Sequence, residues 1–172
     1  MAASVVVSAL IGGLLFPATT AHASSGEISC ISSTHVSYHP GLRVTPQTVL
    51  VEVDGSLEPC TGLSGQGITA GAYGARFTAI RSCADLTQTS QGQYTISWDG
   101  GTNGYSTISF QRVANVVGGN IVTTETGTVI DGDFYGGETL FVTAGAHNPL
   151  DCLIPNGVQD VYTDGTLTIT AP

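Results

Sequence analysis

The chain contains no lysine. Its four cations are all arginines (Arg43, Arg76, Arg81 and Arg112), set against thirteen carboxylates, for a formal net charge of -9 over 172 residues. Without lysine there is no amine for Schiff-base chemistry and none to hold the phosphates of a P-loop. So acidic a chain repels phosphate backbones and anionic lipid, which argues against nucleic-acid and membrane-surface partners. Charged residues of either sign make up only 10% of the sequence, so solubility must come from Ser, Thr, Asn, Gln and Gly. Catalytic signatures are missing too. There is no GxGxxG after a strand, no Walker motif and no HExxH, and Gly62-Leu63-Ser64-Gly65 lacks the spacing of a nucleophile elbow. The absence of any CxxC pair argues against a zinc ribbon or a thioredoxin-type redox site.

Long apolar runs are scarce. The one from Val5 to Phe16 is broken by Pro17 and followed by the small-x-small site Ala21-His22-Ala23. That length and that site predict a secretory signal peptide over residues 1–23 and not a membrane span, with 24–172 as a single mature domain. No Lys or Arg precedes the run, so the amino terminus alone supplies the positive charge or the true start lies upstream. No other segment is apolar for long enough to span a bilayer, and the expected location is extracellular. Four cysteines, Cys30, Cys60, Cys83 and Cys152, suit an exported chain. They allow three connectivities, of which Cys30–Cys60 with Cys83–Cys152 is favoured, each bridge closing a long loop.

What is abundant is β pattern. Gln91 to Val113 holds the only tryptophan: Tyr94, Ile96 and Trp98 share one face of a strand, Asp99 to Asn103 break it, and Ile108 and Phe110 share a face of the return. This predicts a hairpin with Trp98 in the core. Further strands are predicted over 27–38, 47–53, 75–80, 120–130 and 138–143, with a closing pair 158–162 and 165–170 around Thr163-Asp164. Pro40-Gly41 and Asp54-Gly55 are expected to be turns, and Ala84 to Thr87 one short helical turn. Eight or nine short strands point to an all-β fold, an antiparallel β-sandwich with two disulfides. The order Cys83…Trp98…Cys152 adds an immunoglobulin-like version of it, against which Leu150 stands where a tyrosine corner needs Tyr.

Candidate sites are few. Asp131, Asp133 and Glu138 surround a glycine-rich turn and are the candidate calcium ligands, though they miss the EF-hand spacing. As a glycosidase carboxylate pair they lack any sign of a cleft. Tyr105 and Tyr135 lie beside glycines in loops, where their rings could stack on a flat ligand. On an extended chain His35 and His39 are about 13 Å apart, too far to share an ion, and His147 has no evident partner. No cofactor and no catalytic residue is predicted.

Several short motifs together carry a resemblance: Ser29-Cys30, Tyr38-His39-Pro40-Gly41-Leu42 leading to Thr45-Pro46-Gln47, Ser82-Cys83, Trp98-Asp99-Gly100, and Gly127-Thr128-Val129 with Gly132-Asp133-Phe134. The chain resembles a group of small secreted actinobacterial all-β proteins of uncharacterised function. The motifs are turns and cysteines, so no catalytic residue carries over. Enediyne-binding apoproteins of the neocarzinostatin type are similar in composition only. The expectation is a non-enzymatic extracellular binding or interaction module facing an extracellular or cell-wall target. The alternatives are a small-molecule carrier and a secreted hydrolase.

Overall fold

A computed structural model describes residues 26–62, 67–146 and 149–170; the predicted signal peptide and His147 lie outside them. Eight strands run in order: β1 Glu27–Leu42, β2 Gln47–Gly62, β3 Gly71–Arg81, β4 Ser90–Trp98, β5 Tyr105–Val117, β6 Asn120–Gly132, β7 Glu138–Ala146 and β8 Val158–Thr170. Each pairs antiparallel with the next, and β8 returns to β1, so the sheet closes into a barrel. This corrects the expected β-sandwich, immunoglobulin-like version included. A sandwich needs strands that leave one sheet for the other, whereas here every sequence neighbour is also a spatial neighbour. Strands of up to sixteen residues are long enough for the sheet to coil onto itself.

Three turn predictions fail for a related reason. Asp54-Gly55 does not end β2, which continues to Gly62, with Asp54 opposite His35 and Gly55 opposite Thr34. Gly55 is needed inside the strand because a Cβ there would lie 2.1 Å from the Tyr73 ring, which occupies that space. Thr163-Asp164 likewise lies within β8, opposite Thr34 and Ser33 of β1. Pro40-Gly41 also falls inside a strand, since β1 reaches Leu42. The predicted turn near Ala84 is the 3-10 segment Cys83–Thr87, and a second such segment, Pro149–Leu153, precedes β8.

Alternation puts Ile28, Leu57, Ile96, Ile108, Leu167 and Ile169 inside, where a few polar residues such as Ser32, Ser106 and Thr143 are buried with them. Among the described residues no helix is long and apolar enough to cross a membrane. At one end Ile28, Leu57, Ile96, Trp98, Ile108, Leu167 and Ile169 form the larger core cluster. At the other, Leu42, Val49, Val51, Ala114, Ile121 and Val158 are joined by Leu86 and Cys152 from the 3-10 segments. Both disulfides take the favoured pairing. Cys30–Cys60 ties register partners on β1 and β2, and Cys83–Cys152 joins the two 3-10 segments. Such bridges are at home in an oxidising environment.

Candidate functional site

The predicted carboxylates have separate jobs. Asp133 is buried, and its carboxylate accepts hydrogen bonds from the backbone N–H groups of Thr102, Asn103 and Gly104 at 2.9–3.1 Å. It pins the β4–β5 loop, and its coordinating capacity is taken up by protein donors. Asp131 accepts from the Tyr105 hydroxyl at 3.2 Å, which holds that phenol above its ordinary range. Glu138 lies elsewhere, on the outer face of β7. Among the described residues no three His, Cys, Asp or Glu side chains are grouped as metal ligands. Tyr135 is well exposed, and Tyr105 is half-exposed with its hydroxyl engaged. His35 pairs with Asp160 at 2.8 Å and stacks on Tyr162, with 4.4 Å between ring centroids.

Trp98 belongs to the core, as expected. Its indole N–H donates to the Ser106 hydroxyl at 2.9 Å, which in turn donates to the Asp133 carbonyl at 2.6 Å. The ring meets Phe134 edge-on. This chain of contacts couples the hairpin to the Asp133 loop.

A groove of about 1260 Å³ runs across β4 to β8 on the outside of the barrel. Register builds it. One row reads Gln91, Gln111, Thr126, Leu140 and Thr168 on five successive strands. A second, two residues along each strand, reads Gln93, Ser109, Thr128, Glu138 and Thr170. Between the rows the residues point inward. Two of them are glycines, Gly92 and Gly127; a Cβ at Gly127 would lie 2.3 Å from the Ser109 carbonyl oxygen. With strands spaced by about 4.8 Å, five of them span about 19 Å. The groove therefore offers mostly amide and hydroxyl groups in two parallel lines, broken by Leu140 in the first and Glu138 in the second. Among the described residues lining it, Glu138 is the one charged group.

Sequence reasoning missed this surface because most of its residues are ordinary outward Thr, Ser or Gln, and only cross-strand register aligns them. It also missed Arg112 and Glu125, which did leave a signal. Arg112 is in phase with the inward Ile108 and Phe110, and Glu125 with Ile121 and Val129. The two ionisable groups therefore point into the barrel, 4.0 Å apart. Burial raises the Glu125 carboxyl to about 6 despite the opposing pull of Arg112. The chain matches no protein-family model, no curated protein and no solved structure.

Proposed function

We propose that this protein is a secreted, non-catalytic binding module whose outer groove takes an extended, uncharged, hydroxyl-rich chain, a glycan of the cell wall or its surroundings. The observation that carries this reading is the pair of aligned amide and hydroxyl rows across β4 to β8. Gln side chains both donate and accept, as sugar hydroxyls do, and the groove is long enough for several sugar units. The absence of cations from its described lining disfavours an anionic chain. Glu138 alone is not the carboxylate pair that glycoside hydrolysis requires. Secretion is supported by the two disulfides and by the predicted leader over residues 1–23.

The test is affinity electrophoresis against laminarin, soluble chitin oligosaccharides and solubilised peptidoglycan, with wild type beside a Gln93→Ala/Gln111→Ala double variant. Retardation by at least one glycan, lost in the double variant while its far-UV spectrum is unchanged, supports the reading. Passage of the wild type through all three without retardation, or equal retardation of both proteins, overturns it.

A further inference from the structure

The barrel is closed unevenly. β3 and β4 are paired only at Gly71 with Trp98, Ala72 with Ser97 and Tyr73 with Ile96. Beyond Tyr73, β3 runs on to Arg81 beside β2 alone, and β4 before Ile96 runs beside β5 alone. A seam is left between two strands that neighbour each other in the barrel.

The residues at the seam behave as an opening would make them. Ala75 and Phe77 follow Tyr73 at every second position, on the inward face, opposite Val53 and Val51. Val51 is buried, yet Phe77 is 43% exposed. The inward positions beyond include Tyr38 of β1, Tyr94 of β4, Arg112 of β5 and Glu125 of β6. Burial raises both of those phenols, so they are neutral walls. The Arg112 side chain is 37% exposed, while its Nε atom is buried and has no hydrogen-bond partner among the described residues.

Arg112 is also the least satisfied of the three arginines on β3 and β5. Arg76 lies 3.1 Å from Glu52 and Arg81 3.5 Å from Asp85, whereas Arg112 is 4.0 Å from Glu125, beyond hydrogen-bond range. A guanidinium presents five N–H donors in a planar fork suited to an anionic group. On the inward face of an otherwise acidic protein, the unpaired part of β3 thus carries an exposed aromatic ring, and β5, beyond β4, carries an under-used guanidinium.

We propose that the seam between β3 and β4 is a binding site for a small organic anion with a flat apolar body, its anionic group on Arg112 and its body against Phe77. The site is distinct from the outer groove. It faces the barrel interior, and Arg112 and Phe77 take no part in the groove. Glu125 competes with the ligand for Arg112. The titratable and charged groups facing Glu125 are Arg112 of β5, Tyr73 of β3 and Tyr94 of β4. With both phenols neutral, protonating Glu125 releases Arg112, so binding tightens as pH falls through about 6.

Anilinonaphthalene sulfonate is the probe, because its sulfonate stays ionised across this range. Titration followed by fluorescence should show one saturable site. Arg112→Gln and Phe77→Ala should each weaken it at least ten-fold, and Arg76→Gln, on the outer face, should leave it unchanged. Glu125→Gln should bind tightly on both sides of pH 6. No saturable binding, or Arg112→Gln and Phe77→Ala proteins that bind as wild type does, would overturn the proposal. So would a pH dependence that persists in Glu125→Gln. Each variant is first matched to wild type by circular dichroism, and filling the mouth with Ala75→Trp gives a second route should Arg112→Gln fail to fold: it should block the dye, and unchanged binding would overturn the site.

Discussion

At the end of the barrel that holds Trp98, nearly all of the core comes from the strands, with only Ile68 and Phe134 added from loops. At the end that holds Cys152, strand residues cover less, and Leu86, Cys83 and Cys152 arrive on two 3-10 segments tied together by a disulfide. The first end is closed by alternation within strands and the second by capping turns. Eight strands leave an interior just wide enough for side chains to fill. An end lined by large aromatic and branched residues therefore closes itself, whereas an end with small residues such as Ala114 needs a plug. The comparison ranks what each end should lose on substitution.

The strand-built end should suffer most. Trp98→Ala removes a buried ring from against Phe134 and Gly71 and leaves Ser106 without its indole donor. It is expected to lower stability by about 3–5 kcal/mol. The measurement is urea unfolding followed by circular dichroism, since the variant has no tryptophan to report by fluorescence. A loss below about 1 kcal/mol would mean that this end does not depend on its largest side chain.

The turn-built end should respond to its covalent tie. Replacing Cys83 and Cys152 together by Ser opens a bridge between residues 69 apart and is expected to cost about 2–4 kcal/mol. The contrast lies in where the loss appears. Amide exchange should speed up around Leu86 and Cys152 while Ile96 and Ile108 keep their protection. Uniform loss of protection would erase the distinction between the ends.

This division also marks how much could be read from the sequence. The strand-built end was legible: alternation at Tyr94, Ile96 and Trp98 put the tryptophan inside, and the favoured pairing of the cysteines, one of three the sequence allowed, matches the structure. The closure was not legible, because alternation is the same in a sandwich and a barrel. Only the return of β8 to β1 distinguishes them, and that is a contact between opposite ends of the chain. Gly55 misled for a local reason, since beside Asp54 a glycine looks like a turn, while its place under the Tyr73 ring depends on β3. The carboxylates Asp131, Asp133 and Glu138 were grouped by spacing, but the β6–β7 turn separates their directions. Of the two surfaces now proposed to bind, the groove exists only through register. The Arg112–Glu125 pair is visible in the sequence as charge on an inward phase.

That pair lies between the two ends, and its effect is the smallest and the easiest to isolate. Glu125 is 14% exposed, and burial lifts its carboxyl from the ordinary 4.5 to about 6. An acid raised in this way holds its proton more tightly in the folded protein than in the unfolded chain. Its contribution is therefore most favourable below the ordinary carboxylate range and is lost as pH rises to about 6, a fall of at most about 2 kcal/mol. Asp99 acts in the opposite sense. The Thr69 hydroxyl and the Thr69 and Ala70 amides hold its carboxyl low, so its contribution is lost only as pH drops below the ordinary range. The two effects occupy different windows, that of Asp99 below the ordinary carboxylate range and that of Glu125 between pH 4.5 and about 6. Urea midpoints for wild type should decline across that window, and those for Glu125→Gln should stay flat. A wild type that is flat there would mean that Glu125 is solvated through the seam. The interior would then be wetter between the two ends than at either of them.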